Sequence, residues 1–148
     1  MEYTTEMPGT FDSLGELHAL FDRAKGGFDG FSPTDDRYAL IRLAVHEAFT
    51  NVVRHAYKGM TEHAVGVCLQ EESGGLTVTL LDDGVRFNPR EDNTDPEGPA
   101  RSMGGLGMRI IRSTANRWVY DVTPDGRNRL QMFFAPDPPV AESSDGFE

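Results

Sequence analysis

The chain reads EAFTNVVRHAY at residues 47–57, inside the longest helical pattern of the sequence. At about 100° per residue, the apolar stripe of this predicted helix contains Ile41, Val45, Ala48, Val52 and Ala56. Glu47, Asn51 and His55 follow one another four residues apart on a stripe that flanks the apolar one. The spacing therefore predicts three polar side chains in line at the edge of a buried face, each about 6 Å from the next. A carboxylate or carboxamide placed there can meet a ligand with little competing water.

The same residues allow two other interpretations. Glu47 and Asn51 could face solvent while His55 bonds to a neighbour, as polar residues on helix flanks often do. His46 and Glu47 could also form half of a zinc-binding metalloprotease helix. That motif requires a second histidine four residues after the first, and this position is Thr50. Zinc is therefore excluded at this helix.

Three helices are predicted, over residues 13–26, 32–58 and 107–113. The first should begin at Ser13, which has capping-box spacing to Glu16, and end at a pair of glycines. The second has a Ser-Pro start and ends before Gly59. The third follows a glycine cluster at 104–107.

Alternating apolar residues predict four strands, at 65–69, 76–81, 118–122 and 129–134. The first two are joined at Gly74-Gly75 and the last two by a turn around Gly126. Helices before and between antiparallel strand pairs indicate an α+β fold. We expect a two-layer α/β sandwich with a mostly antiparallel mixed sheet and helices on one face.

Composition fits one soluble domain. The chain has 148 residues and a formal net charge of -10, which repels phosphate backbones and anionic lipids. Cys68 is the only cysteine, so no internal disulfide forms and a reducing compartment is expected. No apolar run approaches the roughly 18 residues that span a bilayer. We expect a cytoplasmic protein with a domain at residues 1–135 and an acidic, proline-rich disordered tail at 136–148.

A second polar motif ends the predicted strand 76–81, where the chain continues DDGVRFNP. Asp-Gly and Asn-Pro pairs also fit an ordinary turn at a strand end. In a functional interpretation, the Asp82 carboxylate accepts a hydrogen bond from the exocyclic amine of adenine. Gly84 would then let the backbone approach the flat base.

A third motif is the run Gly104-Gly105-Leu106-Gly107 before the last predicted helix. Backbone N–H groups at a helix start bind phosphate well, although glycines before helices are also common without any ligand. The run is not a Walker motif, because no Gly-Lys-Ser/Thr follows it. It is not a Rossmann fingerprint either, because it follows a polar loop at 88–103 rather than a strand.

Taken in order, the three motifs resemble the GHKL (histidine-kinase-like, or Bergerat) ATPases over about residues 36–134. The run at 47–57 looks like the first block of the bacterial anti-sigma-factor serine kinases. The glycine run with Met108, Ile110 and Ile111 is similar to their third block, and residues 126–130 resemble their last hairpin. Asn116 stands where these relatives often have aspartate, a difference we expect to affect packing rather than chemistry.

The resemblance implies ATP and Mg²⁺ as cofactors and assigns a role to each motif. Asn51 would coordinate Mg²⁺ and Glu47 would be the general base. Asp82 and Gly84 would bind adenine, with Asn128 of the last hairpin also at the nucleotide. Phosphates would be bound by Gly104, Gly105, Leu106 and Gly107, and Arg101 would reach the terminal phosphate.

The activity that the resemblance implies is a protein serine kinase of a partner-switching pathway. Its substrate would be a STAS-domain anti-sigma antagonist, and its other partner a sigma factor or similar regulator. The resemblance also implies a homodimer, although no segment identifies its interface. Two alternatives stay open: an ATP-binding anti-sigma adaptor without catalysis, and the detached catalytic domain of a histidine kinase. The latter would need a phospho-accepting histidine helix, which the sequence lacks.

Overall fold

The computed structural model describes residues 2–28, 30–31, 36–57, 63–72, 74–84 and 109–137, with the backbone alone for 55–57. Its strands are β1 (Glu2–Pro8), β2 (Ala64–Glu72), β3 (Gly75–Asp82), β4 (Arg117–Val122) and β5 (Asn128–Phe134). Its helices are α1 (Leu14–Ala24), α2 (Asp36–Asn51) and α3 (residues 109–114). A 3₁₀ turn, Phe11–Ser13, precedes α1, and a π-helical turn, Val52–Tyr57, follows α2.

The strands form one sheet in the order β1-β2-β3-β5-β4. All four pairings between these described strands are antiparallel. The predicted α+β sandwich is therefore confirmed. The central pairing of β3 with β5 joins segments that are far apart in sequence and places Asp82 directly opposite Asn128.

One face of the sheet packs against the helices. Because side chains alternate along a strand, every second residue points to this face. Val67, Val78 and Met132 belong to it and are buried in one apolar cluster together with Phe21 of α1 and Phe49 of α2. The apolar stripe predicted for α2 is confirmed where side chains are described, since Ile41, Val45, Ala48 and Val52 are all buried.

Strand β1 was not predicted. Tyr3 and Met7 alternate with the polar residues Glu2, Thr4 and Glu6, which is the pattern of an edge strand with one buried face. Tyr3 pairs with Leu69 of β2 across the sheet. Glu2 and Glu6 are exposed and lie on the outward face of the strand.

The predicted capping box at the start of α1 is wrong. Helix α1 begins at Leu14 as expected, but Ser13 makes no side-chain capping hydrogen bond. Its backbone is already helical, with φ -78° and ψ -6°, because the 3₁₀ turn leads into the helix. N-cap residues typically have an extended backbone, so the helical backbone of Ser13 accounts for the missing cap.

The second helix ends differently from a plain α-helix. Its predicted start at 32–35 lies outside the described residues, and α2 is regular from Asp36 to Asn51. From Val52 to Tyr57 the backbone is π-helical. The spacing of about 100° per residue that aligned His55 with Asn51 therefore does not continue through this turn. Such turns are frequent at functional sites.

A buried arginine joins the start of α2 to the end of β5. Arg37 is 6% exposed and donates from Nε to the Ala135 carbonyl oxygen at 3.0 Å and from Nη2 to Asn116 Oδ1 at 2.9 Å. Asn116 also accepts from the Ala135 N–H at 2.9 Å and donates to the Asp137 carbonyl oxygen at 3.1 Å. Through these hydrogen bonds Asn116 packs the start of α2 against the end of β5, as expected for a packing role.

Residues 138–148 of the predicted tail lie outside the described part of the chain.

Candidate nucleotide site

Helix α2 carries Glu47 and Asn51 on the flank of its buried stripe. Asn51 is 4% exposed and Glu47 is partly exposed, so the two side chains lie at the edge of the core as expected. The buried Thr50 donates a hydrogen bond from Oγ1 to the Glu47 carbonyl oxygen at 2.9 Å. This contact, three residues apart within one helical turn, was not anticipated. The hydrogen bond holds Thr50, which lies between Glu47 and Asn51 in the sequence, to the backbone of Glu47.

At the end of β3 the Asp82 carboxylate belongs to a buried polar cluster. Its Oδ1 accepts from the backbone N–H of Gly84 at 2.9 Å and from Asn128 Nδ2 at 2.9 Å. Asn128 Nδ2 also donates to the Gly84 carbonyl oxygen at 3.1 Å. Asp82 is 5% and Asn128 3% exposed. Two donors therefore occupy the same carboxylate oxygen.

The carboxylate lies on the helical side of the sheet. Asp82 follows Val78 and Leu80 at every second position of β3, and the side chains of Val78 and Leu80 are buried in the core shared with the helices. Because alternate residues of a strand share a face, Asp82 points toward the layer that contains α2. Polar groups of β3 and of α2 thus belong to the same interlayer region.

Burial raises the pKa of Asp82 above its usual 3.8, while the hydrogen bonds from Asn128 and Gly84 act in the opposite direction and neighbouring Asp83 adds to the increase. A buried carboxylate with a raised pKa and fixed donors is typical of functional sites as well as of structural clusters. Its chemical capacity is that of a hydrogen-bond acceptor for a ligand donor, such as an amine.

Five predicted phosphate-binding residues cannot be placed. Arg101, Gly104, Gly105, Leu106 and Gly107 lie outside the described residues. The helix expected to follow them is found at residues 109–114, and its Ile111 is buried in the core. Their assigned roles stay predictions, as do those of Glu47, Asn51, Asp82, Gly84 and Asn128.

The donor set on α2 fits magnesium better than a transition metal. Within the described ranges, no group of three or more His, Cys, Asp or Glu side chains could hold a metal ion. Magnesium, however, usually keeps several waters and takes one or two protein oxygens together with substrate phosphates. The carboxamide oxygen of Asn51 is a hard ligand of this kind.

Among the described helices, none is both long and apolar enough to span a bilayer.

Comparison with known proteins gives related sequences over most of the chain. The chain is 25% identical over 112 residues to the anti-sigma F factor of Halalkalibacterium halodurans, covering 73% of this chain and 77% of that protein. It is 29% identical over 121 residues to the serine-protein kinase RsbW of Listeria innocua, covering 74% and 73%. It is 28% identical over 107 residues to the RsbW of Staphylococcus epidermidis, covering 66% and 62%.

The family comparison covers both candidate regions. Residues 17–134 match the histidine kinase-like ATPase domain. The match contains α2 with Glu47 and Asn51, the end of β3 with Asp82, and Asn128 on β5. The chain therefore belongs to the family of histidine kinase-like ATPase domains.

Proposed function

We propose that this chain is an ATP-dependent protein serine kinase of a partner-switching pathway. It transfers the terminal phosphate of ATP to a serine of a STAS-domain anti-sigma antagonist, and in its other state it sequesters a sigma factor or similar regulator. Membership of the ATPase family supports nucleotide binding. The names of two relatives, an anti-sigma factor and a serine-protein kinase, support a sigma factor and a protein substrate phosphorylated on serine as partners. The expected cytoplasmic location agrees with such partners.

The observation that carries the nucleotide assignment is the buried Asp82 carboxylate. Oδ1 is occupied by Gly84 and Asn128. In the proposal Oδ2 accepts a hydrogen bond from the exocyclic amine of adenine. A base with a carbonyl oxygen at that position would meet a carboxylate and be rejected, so the site selects adenine over guanine. The negative charge of Asp82 then lies at the base end, away from the phosphates that it would repel.

Catalysis in this proposal needs little covalent chemistry from the protein. Phosphoryl transfer depends mainly on positioning and on neutralising charge. Bound Mg²⁺ would neutralise phosphate oxygens, with Asn51 supplying the protein ligand. Glu47, one turn earlier on the same helix, would accept the proton of the incoming serine hydroxyl. Phosphate on the antagonist then adds charge at its interface with the kinase, which changes the partner that is bound.

An ATP-binding adaptor without catalysis is the competing proposal. Glu47 disfavours it, because an adaptor needs no general base. A detached histidine-kinase domain is disfavoured by the serine-kinase names of the relatives.

The decisive assay incubates the protein with labelled ATP, Mg²⁺ and a purified STAS-domain antagonist encoded near it. We expect label on the antagonist that survives acid, because phosphoserine is acid-stable and phosphohistidine is not. Acid-labile label would support the histidine-kinase alternative. ATP binding without any transfer to the antagonist would support the adaptor.

A further inference from the structure

Helices α1 and α2 meet at a pair of histidines. Nε2 of His18 lies 2.9 Å from Nδ1 of His46, which is hydrogen-bonding distance, and the ring centroids are 5.1 Å apart. One turn after His18 on α1 and one turn before His46 on α2, Asp22 and the Arg42 guanidinium form an ion pair. The two imidazoles are half-buried. We call these two side-chain pairs the α1–α2 seam.

A hydrogen bond between two imidazoles has a fixed proton requirement. One ring must donate an N–H while the other accepts through a lone pair. Two neutral rings satisfy this requirement, and so do one neutral ring and one imidazolium. Two imidazolium rings cannot, because both facing nitrogens then carry hydrogen and both rings are charged. The bridge between His18 and His46 therefore holds with no added proton or with one, and breaks with two.

The charged groups around the pair oppose its protonation. Burial is the largest cause that lowers the pKa of His18, followed by His46 and Arg42, both on α2. Asp22, on the same helix as His18, acts in the opposite direction. Because the Asp22 carboxylate is already engaged by Arg42, it offsets only part of this effect.

We propose that the His18–His46 bridge is a proton-responsive latch between α1 and α2, closed at neutral pH and opened when both rings are protonated. Glu47 directly follows His46 on α2, so opening the latch loosens the packing of the helix that carries the candidate catalytic residues. The latch is a property of the folded chain, and it stands or falls independently of the kinase proposal.

The direction of the pH dependence follows from the lowered pKa. In the unfolded chain His18 takes up a proton as the pH falls through about 6.5, whereas in the folded chain it does so only at lower pH. Between these two values the unfolded state binds more protons, so stability falls as the pH falls. Above the unfolded pKa, His18 is neutral in both states and contributes no pH dependence. The unfolding equilibrium constant should rise by up to about tenfold per pH unit within the window.

Urea unfolding between about pH 8 and about pH 5 tests the latch. Two variants, His18→Gln and His46→Asn, replace an imidazole with an amide that does not titrate. The matched control is Arg23→Met, because Arg23 is an exposed residue of α1 that is not part of the seam. We expect His18→Gln to flatten the loss of stability below about pH 6.5. His46→Asn should reduce that loss only in part, because burial also lowers the pKa of His18. The control should keep the wild-type slope. The wild-type slope in both seam variants would overturn the proposal.

A second measurement needs no variant to fold. The His18 imidazole resonances of the wild-type protein, followed by NMR during acidification, should titrate below the ordinary histidine value of about 6.5, because the pKa of His18 is lowered. The amides of α1 and α2 should lose protection from hydrogen exchange as the bridge opens. Titration of His18 at its ordinary pKa, with α1 and α2 unchanged, would contradict the latch.

Discussion

Asn128 donates a hydrogen bond of 2.9 Å from Nδ2 to Oδ1 of Asp82, and the two residues are directly opposed on β5 and β3. The same amide nitrogen reaches the Gly84 carbonyl oxygen, so one side chain fixes both the carboxylate and the backbone that follows it. With both residues buried, the orientation of Asp82 is set before any ligand arrives. Such preorganisation reduces the entropy lost on binding.

Removal of the Asn128 amide should affect both stability and the pH dependence of ATP binding. In Asn128→Ala, Asp82 loses a buried donor, which costs about 1–3 kcal/mol of unfolding free energy. The Asn128 hydrogen bond lowers the pKa of Asp82, so its loss raises that pKa further. Because binding needs ionised Asp82, the acidic loss of ATP affinity should move to higher pH. Calorimetric titrations across the acidic range measure this shift.

The matched control for that variant is Gln131→Ala. Gln131 lies on the same strand, is exposed, and contacts Thr79 at 3.3 Å on the opposite face of the sheet. It should retain the wild-type pH profile. An unchanged profile in Asn128→Ala would remove Asn128 from the nucleotide site.

Substitution of Glu47 should separate binding from transfer. Glu47→Gln keeps the shape of the side chain but cannot accept the serine proton. We expect ATP affinity within a factor of about two and a rate of phosphate transfer to the antagonist lower by about 10²–10⁴-fold, the usual contribution of a general base. Asp36→Asn, at the exposed start of the same helix, is the control. Transfer by Glu47→Gln at the wild-type rate would mean that the base lies elsewhere.

Asn51 should account for the magnesium dependence of ATP binding. In Asn51→Ala, the carboxamide ligand is lost, so the affinity gained on adding Mg²⁺ to ATP should largely disappear. Calorimetry with Mg²⁺ and with a chelator, on wild type and variant, gives this difference directly. If the variant gains as much from Mg²⁺ as wild type does, Asn51 is not the ligand.

The Arg37 contacts predict a stability effect away from the nucleotide. Arg37→Met keeps much of the apolar stem but removes the hydrogen bonds to Asn116 and Ala135. The Ala135 carbonyl oxygen then loses its Arg37 donor, whereas Asn116 Oδ1 still accepts from the Ala135 N–H. Because both acceptors are only partly buried, the change should cost about 1–3 kcal/mol in urea unfolding. Arg23→Met, at the exposed end of α1, should change stability by less than about 0.5 kcal/mol. A variant as stable as wild type would show that other groups replace these contacts.

The sequence predicted the parts of the fold that depend on local periodicity. The apolar stripe of α2 and the alternating pattern of β2 and β3 could be predicted from the sequence. In each case the face to which a side chain points depends only on its position along its own helix or strand. Strand β1 carries the same alternation, but its glutamates on the outward face masked it. The capping box failed because an unforeseen 3₁₀ turn sets the backbone of Ser13.

The remaining features depend on contacts between distant segments. The π-helical turn after Asn51 changes the helix register, which α-helical spacing does not predict. The bond from Asn128 to Asp82 requires β5 to pair with β3 in one register, across 46 residues of sequence. The resemblance placed Asn128 at the nucleotide, but its contact with Asp82 emerges only from that pairing.

Titration of ATP into wild type and Asp82→Asn tests the central claim most directly. Gly84 and Asn128 both donate to one oxygen of residue 82, so the amide oxygen should take that side. The amide N–H₂ would then face the adenine amine, donor against donor. We expect a folded variant whose ATP affinity is lower by about tenfold to a hundredfold. ATP binding by Asp82→Asn at wild-type affinity, or no ATP binding by the wild-type chain, would contradict it.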